Sequence, residues 1–296
     1  MIGAVPDPRV RHRVIGAVLQ RPLVREFARH RLGVAGLALI VLIVLFCWVG
    51  PLLDPTNQTQ VNLAANMAPG AGHPLGTDAH GYDILGRLMI GGRVSLEIGL
   101  AVAVLATALG AVWGALAGLT GGALDAVMMR VVDVFLALPA IFVLVYLGTV
   151  LTPTVPLLIL VISLLSWLGP ARLIRGETLS LKTREFVQAA RGMGAGRTRI
   201  IARHLLPNAL GTVVVNATFQ VADAIILLAT LSFLGFGLPP PAATWGEMLS
   251  QGSTYLLDGY WWEVYPVGIL LMLTVIAFNL VGDALRDTLD ARLRDR

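Results

Sequence analysis

Asp223 is the one acidic residue near the middle of a long apolar run over residues 210–236. A carboxylate inside a membrane is costly, so such an acid either serves a transport pathway or is held by hydrogen bonds. Asn216 and Gln220 lie in the same run and could supply those bonds. The sequence leaves two interpretations open. Asp223 lines a pathway or gate with these neighbours, or it is a structural acid bonded to them or to an adjacent helix.

The sequence lacks the motif of an ATP-hydrolysing site. A P-loop requires a glycine-rich turn followed by Gly-Lys-Ser/Thr, but Lys182, the only lysine, follows a leucine. A proton relay would need several intramembrane acids or histidines. Only Glu97, near the end of another apolar run, joins Asp223. If ATP drives this protein, a separate subunit must hydrolyse it.

His73 and His80 lie seven residues apart, near Asp78 and Asp83. Their spacing matches no established set of metal ligands, so ordinary loop polarity is favoured over a metal site. Cys47 is the only cysteine, which excludes an intrachain disulfide, and its apolar surroundings indicate a small helix residue. We expect neither a metal nor another cofactor in this chain.

The composition indicates which elements must position these residues. Of 296 residues, 56% are hydrophobic and 14% are charged, and the mean hydropathy is +0.77. Soluble domains carry about 25% charged residues. This deficit excludes a soluble enzyme, a disordered tail and a nucleic-acid binder. The sequence predicts an integral membrane protein that contacts the lipid bilayer.

We predict six transmembrane helices, because a bilayer core about 30 Å thick requires apolar helices of roughly 20 residues. They cover residues 33–53, 98–124, 134–151, 155–169, 210–236 and 264–282. The third and fourth come from one run that Pro153 and Pro156 interrupt. The predicted organisation is a leader 1–32, a first transmembrane helix 33–53, an exterior loop 54–94, a five-helix core 95–283 containing a long loop 170–209, and a tail 284–296.

The basic residues predict the orientation. If the N-terminus is cytoplasmic, only Arg87 and Arg93 of the 22 Lys and Arg residues lie outside. Because positively charged segments stay on the cytoplasmic side, we expect both termini in the cytoplasm and a bacterial-type inner or plasma membrane location. The leader is too long for the charged region of a signal peptide, so the first span is interpreted as a retained anchor.

The long loop predicts a helical hairpin. Residues 183–193 can form one helix, three nearby glycines supply a stop and a sharp turn, and residues 197–206 can form a second helix that Pro207 ends. Small side chains at Ala189 and Ala190 would let a partner surface approach closely. Alternatively, the hairpin rests on anionic lipid through its arginines. Composition alone does not separate the two.

The hairpin resembles the "EAA" loop of ABC-importer membrane subunits, in the dipeptide/oligopeptide/nickel branch and most like its second permease. The match consists of Gln188-Ala189-Ala190, a glycine four positions later, and Leu206-Pro207. In that family the loop forms a coupling helix that docks in a groove of a cytoplasmic ATPase. The resemblance implies a coupling role for Glu185, Gln188, Ala189, Ala190, Arg191, Gly194, His204, Leu206 and Pro207.

Four further stretches resemble the same branch. Residues 75–96 resemble its exterior entry to the second span, residues 121–133 its short cytoplasmic turn, residues 231–249 its second exterior loop, and residues 273–287 its last span and tail. The resemblance implies contacts with an exterior substrate-binding protein at Asp78, Asp83, Trp245 and Glu247.

Three positions depart from the branch pattern. Gln188 replaces the glutamate but keeps a hydrogen-bonding group, and Tyr82 stands where arginine is usual, which puts an exterior salt bridge there in doubt. Leu228 stands where glutamate is frequent. Asp223 lies five residues earlier, about 500° of helix, so it faces a different direction and does not simply replace that acid.

The resemblance implies an all-α membrane protein with six transmembrane helices, the type I ABC-importer permease fold and a cytoplasmic coupling hairpin. It implies a homologous second permease, two cytoplasmic ATP-binding subunits or domains that use ATP and Mg, and an exterior substrate-binding protein. This chain would be a transport subunit, not an enzyme. Short peptides are the expected substrate, with nickel, glutathione or another small solute as alternatives. Two other functions remain as alternatives: a proton-coupled secondary transporter and a non-transporting membrane scaffold. The scaffold would leave Asp223 unexplained.

Overall fold

The computed structural model describes residues 26–53, 61 and 63–294. The predicted leader therefore lies almost wholly outside the described residues, as does the start of the first loop. The described residues form helices, and their only strand-like pairings are two isolated bridges, Gly70 with His73 and Thr77 with Asp83. The prediction of an all-α protein is confirmed.

The helices are named α1 to α11 in chain order. Their bounds are Arg31–Leu53 (α1), Ile84–Thr120 (α2), Gly122–Ala137 (α3), Ala140–Val150 (α4), Val155–Ser166 (α5), Leu168–Leu181 (α6), Glu185–Gly192 (α7), Arg197–Ile200 (α8), Leu206–Leu231 (α9), Trp245–Tyr255 (α10) and Tyr265–Arg294 (α11). Two π-helical turns flank α9, Ile201–Leu205 before it and Ser232–Phe236 after it.

Four helical segments of the described chain are long and apolar enough to cross a membrane, and two bent pairs bring the number of spans to six if each pair is one span. The pair α3 and α4 bends by 76°, and the pair α5 and α6 by 44°. The first bend follows from Pro139, because the residue before a proline avoids the helical region and Leu138 is extended. Six spans were predicted, but two of them are broken helices.

The first predicted loop ends earlier than residue 94. Helix α2 begins at Ile84, because the side chain of Asp83 accepts a hydrogen bond from the Gly86 amide at 2.8 Å and caps the helix. Residues 84–94 are therefore helical, and α2 is long enough to reach beyond the membrane core.

The second arm of the predicted hairpin also differs from expectation. Pro207 does not end a helix; it lies in the first turn of α9, where its missing N–H is tolerated. The π-helical turn just before it closes with the Leu206 amide bonded to the Ile201 carbonyl oxygen. The chain is helical from Arg197 to Leu234, and Gly235, with φ 88°, kinks the second π-helical turn. One helical rod therefore joins the hairpin to the fifth predicted span.

Helix α2 is the centre of the bundle and packs against α1, α5, α6 and α9. Gly110, Gly114 and Gly118 recur every four residues on α2 and lie directly against α6. A Cβ at Gly114 would overlap the Ala171 carbonyl oxygen, so only glycine permits this backbone approach. Small residues at this spacing are a standard way to pack membrane helices closely.

Two regions of the chain lie at opposite ends of α2. The first, the lobe, comprises residues 63–83 and 237–263 and packs at the amino-terminal end of α2. The hairpin comprises α7, α8 and the first π-helical turn, residues 185–205. It lies at the other end, where the Lys182 ammonium donates to the Gly118 carbonyl oxygen at 3.0 Å.

Candidate functional site

One face of the hairpin is packed against the bundle. Val187 and Ala190 of α7 are buried, Ala190 with 2% of its surface exposed. Val187 shares a core cluster with Ile174 of α6 and with Ile200 and Leu205 of the second arm. Spacing of three residues puts Val187 and Ala190 on one side of the helix. The hairpin is thus fixed to the bundle through its apolar face.

The turn of the hairpin requires glycine. Gly194 has φ +80°, in the left-handed region. The Ala195 amide donates to the Ala190 carbonyl oxygen at 3.0 Å, which is the six-to-one hydrogen bond of a Schellman motif with Gly194 at its left-handed position. No atom lies within 4 Å of a Cβ built at Gly194, so the constraint is the backbone conformation and not space.

Gln188 and Lys182 attach the hairpin to the helices before it. The side-chain amide of Gln188 donates a hydrogen bond to the Lys182 carbonyl oxygen at 2.9 Å. The Lys182 ammonium in turn bonds the carboxyl end of α2 at Gly118, where a cation is favoured by the unpaired carbonyls. A glutamate could not donate the first of these hydrogen bonds, so the glutamine at this position has a specific structural role.

The other face of the hairpin is open. Glu185, Gln188, Ala189 and Gly194 are exposed, and Met193 at the turn has 82% of its surface exposed. Leu206 is half-buried and Pro207 is exposed. The side chains of Arg191 and His204 lie outside what the structure describes.

The expectation that Ala190 offers a small surface to a partner needs correction, because this side chain faces the chain's own bundle. Ala189 is the small residue that α7 exposes.

Asp223 lies on the same helical rod as the second arm of the hairpin. From Arg197 to Asp223 the rod extends about 40 Å at 1.5 Å per residue. Asp223 lines a cleft of about 420 Å³ between α9 and the breaks of the two bent pairs. Ser166, Gly169 and Gln220 also line it, with Ala140 beyond the α3–α4 bend.

No hydrogen bond or ion pair joins Asp223 to another residue that the structure describes. Asn216 and Gln220 do not bond it, and the buried Asn216 Oδ1 itself has no partner. The interpretation of Asp223 as a structural acid held by these two residues is therefore not supported. Asp223 and Gln220 line the cleft together, whereas Asn216 is not among its lining residues.

The lobe is assembled around Arg87, which is 3% exposed. Its guanidinium carbon lies 4.4 Å from the centre of the Tyr82 ring. Guanidinium nitrogens lie 3.8 Å from oxygens of both Asp78 and Glu247, and another donates to the Pro241 carbonyl oxygen at 3.4 Å. Tyr82, the departure that puts an exterior salt bridge in doubt, thus makes a cation–π contact with Arg87.

The second segment of the lobe is held by Trp245 and Glu247. Trp245 is completely buried, and its indole donates to the Leu88 carbonyl oxygen at 3.0 Å. Burial raises the pKa of the Glu247 carboxyl, and the nearby charge of Arg87 partly opposes this. Gln251 donates to the same carboxylate at 3.0 Å. This acid is therefore part of a buried network.

Asp78, Asp83, Trp245 and Glu247 were predicted to contact an exterior binding protein, and the structure corrects this. All four are buried. Asp78 accepts hydrogen bonds from the His80 and Tyr82 amides at 2.9 Å, and Asp83 caps α2. These residues shape the lobe and support its surface from inside.

Sequence reasoning missed two features that position the hairpin. The Gly110, Gly114 and Gly118 series was readable as a four-residue repeat. The pairing of Asp125 with Arg175 was not, because 50 residues separate them. For the two histidines, no group of three or more metal-ligating side chains occurs among the described residues.

Comparison with known proteins shows which family the sequence matches. A model of the family "Binding-protein-dependent transport system inner membrane component" matches residues 110–295. A model of the "N-terminal TM domain of oligopeptide transport permease C" matches residues 22–69.

Sequence similarity to individual relatives extends over nearly the whole chain. The dipeptide transport system permease protein DppC of Bacillus subtilis (strain 168) is 36% identical over 271 residues, which cover 91% of this chain and 85% of the relative. The oligopeptide transport system permease protein OppC of Escherichia coli (strain K12) is 40% identical over 286 residues, which cover 95% and 94%. A solved inward-facing structure of the MetNI methionine ABC transporter has a TM-score of 0.54 at 24% identity, covering 68% of this chain and 95% of that chain, and supports the fold.

Proposed function

The chain belongs to the family of binding-protein-dependent transport system inner membrane components, and we propose that it is the permease subunit through which an ABC importer moves short peptides. The peptide substrate is supported by the named relatives, which are dipeptide and oligopeptide permeases. The importer would also contain a homologous second permease, two ATP-binding subunits or domains that use ATP and Mg, and an exterior substrate-binding protein.

The observation that carries this proposal is the helical rod from Arg197 to Leu234, which ends at the kink of Gly235 next to the lobe. It joins three parts of the chain: the exposed turn of the hairpin, the cleft at Asp223 and the second segment of the lobe. A movement imposed on the hairpin is transmitted along a helix to the cleft without crossing a flexible loop. This arrangement suits a subunit that converts motion of an attached ATPase into opening and closing of a pathway.

The hairpin would dock on an ATPase through its open face. Glu185, Ala189, Met193 and Gly194 would contact the partner, whereas Val187 and Ala190 would transfer the force to the bundle. Gln188 would act from within the chain, by fixing α7 to the end of α6. Arg191, His204, Leu206 and Pro207 would support the same contact. In this proposal the hairpin and both termini would lie on the cytoplasmic side.

The lobe would face the exterior and receive the substrate-binding protein. Arg87 fixes its two segments against the start of α2. The binding protein would press on a lobe that is joined to α9 by the second π-helical turn, which is kinked at Gly235. Both ends of the rod would therefore be contacted by partners, and the cleft between them would respond to each.

The proposal is tested by adding a charge to the open face of the hairpin. Ala189→Glu should prevent the ATPase subunits from copurifying with the permeases, because an unpaired carboxylate in a docking surface costs about 2–5 kcal/mol of binding. Ser253→Glu adds the same charge to an exposed position of α10 in the lobe and should leave ATPase retention unchanged. The readout is the ATPase content of the purified complex, followed by ATP-dependent peptide uptake into proteoliposomes. Full retention and uptake in Ala189→Glu would contradict the proposal.

A further inference from the structure

The cleft at Asp223 is lined by an acidic residue without a basic partner. Its lining residues include one acid and no basic residue. Asp223 is exposed in the single chain and is bonded to no other described residue, so its carboxylate is available to a group that enters the cleft. The negative charge of the cleft is therefore uncompensated within the described part of the chain.

Two polar side chains beside Asp223 are also unpartnered. Gln220, one turn before it, is 7% exposed and forms no hydrogen bond with another residue that the structure describes. Ser166 stands on the facing wall, and its hydroxyl oxygen is buried without a hydrogen-bond partner. Buried polar groups are normally satisfied, and the exceptions indicate an absent ligand or a functional role. The acid and the amide oxygen together form a pair of acceptors that can bind an N–H donor.

The backbone around the cleft has a matching geometry. The breaks of both bent pairs border it, at Ala140 after the 76° bend and at Ser166 before the 44° bend. In secondary transporters, discontinuous helices frame substrate sites near the middle of the membrane, and the same kind of helix break borders this cleft. Leu165 and Ile226 complete an apolar lining, in which a charge interacts more strongly than in water.

We propose that this cleft recognises a substrate by an ammonium group, which Asp223 attracts while Gln220 accepts one of its hydrogen bonds. The inference rests on the proposed function, because only a chain that lines a translocation pathway presents this cleft to substrate. The permease then selects for cationic groups independently of the separate binding protein. A peptide can supply the ammonium from its amino terminus or from a lysine side chain.

The electrostatic potential in the cleft is measured with a single cysteine that replaces Gly169. This glycine lines the cleft, and a Cβ there meets no atom within 4 Å. In the assembled importer carrying Cys47→Ala and Gly169→Cys, a cationic methanethiosulfonate reagent should react faster than an anionic one. Adding Asp223→Asn should reduce the ratio of the two rates about tenfold. Asp258→Asn, which removes an exposed acid from the lobe, should leave the ratio unchanged.

Three labelling results are possible. A ratio that falls with Asp223→Asn supports the proposal. A ratio that does not change shows that Asp223 sets no field in the cleft and overturns it. Absence of labelling by either reagent shows that the cleft is closed to solutes in the assembled importer, and also overturns the proposal.

Uptake experiments identify the source of the ammonium. Proteoliposomes are supplied with saturating binding protein and trialanine, N-acetyl-Ala-Lys-Ala or N-acetyl-trialanine. Asp223→Asn should lower uptake of the first two peptides about tenfold relative to the third, and a loss confined to one of them identifies the amino terminus or the lysine. Equal loss for all three peptides overturns the inference. Absence of ATP-dependent uptake in the wild type would instead contradict the proposed function.

Discussion

Asp125 and Arg175 are joined by two parallel hydrogen bonds, from Nε to one carboxylate oxygen at 2.6 Å and from the terminal nitrogen to the other at 2.7 Å. Asp125 lies in the first turn of α3 and Arg175 in α6, the helix that leads into the hairpin. The pair therefore fixes the third span to the base of the hairpin. Its bidentate geometry is the strongest that an arginine and a carboxylate form.

Removing the arginine of this pair should be more harmful than removing the acid. Arg175→Met leaves the buried Asp125 carboxylate without its partner and should cost about 1–3 kcal/mol, whereas Asp125→Asn retains an acceptor and should cost about 1 kcal/mol. Arg172→Met, one turn away, breaks an exposed pair with Asp133 and should have little effect. Melting temperatures of the purified importer measure these differences. Equal losses at Arg172 and Arg175 would show that the pair does not fix α3 to α6.

The glycine series on α2 gives a second prediction. Gly114→Ala should lower the melting temperature strongly, because the new Cβ meets the backbone of Ala171 and Arg175 and must separate α2 from α6. We expect a loss of about 1–3 kcal/mol. Gly176→Ala, on α6 itself, has no atom within 4 Å of its Cβ and is the matched control, which should be neutral or slightly stabilising. An unaffected Gly114→Ala protein would mean that the two helices are not in close contact.

Arg87 provides a prediction of pH dependence. Arg87→Met leaves Asp78 and Glu247 buried without their cation and should cost about 3–5 kcal/mol. Burial already raises the pKa of Glu247, and loss of Arg87 should raise it further. A carboxyl whose pKa is higher in the folded than in the unfolded state binds its proton more tightly when folded, so stability increases as the pH falls through the folded pKa.

As the pH falls from 8 to 5, the melting temperature of Arg87→Met should therefore rise relative to that of the wild type. Adding Glu247→Gln should recover part of the loss and weaken this pH dependence. Arg93→Met, which breaks an exposed pair on the same helix, is the control. A variant whose stability relative to the wild type is the same at both pH values would contradict the buried network.

The turn of the hairpin is tested by comparing two glycines. Gly194→Leu should impose about 1–3 kcal/mol of backbone strain, because φ is +80° there. Gly196→Leu adds the same side chain two residues away, where φ is not in the left-handed region and the Cβ also has open space. Substrate-stimulated ATP hydrolysis by the reconstituted importer should fall in the first variant and change less in the second. Equal activity in both would show that the turn conformation is unimportant for coupling.

The orientation is tested by cysteine labelling in intact cells. With Cys47→Ala as background, Ala71→Cys in the lobe should react with an impermeant thiol reagent added outside. Met193→Cys at the turn of the hairpin should react only after the membrane is permeabilised. Both positions are exposed, so accessibility within the chain does not limit either reaction. The reverse pattern would place the hairpin outside and contradict the proposed docking of an ATPase.

Composition and local sequence were sufficient for several features of this protein. The scarcity of charge required membrane helices, because backbone groups in lipid must be bonded within each segment. Gly194 was predicted as a turn, since only its backbone freedom is involved. These features depend on residues close together in the chain, and their physical causes operate locally.

Other features were decided only by tertiary structure. The sequence could not determine that Ala190 faces the bundle while Ala189 is open, because one residue of helix rotation separates them and the neighbouring helices decide which side is buried. The burial of Asp78 and Glu247 around Arg87 requires two segments more than 150 residues apart to meet at the start of α2. Residues 210–236 indicated an acid in a span, but the cleft at Asp223 exists because two other helices break beside it. Such contacts depend on packing between distant segments, which local periodicity does not specify.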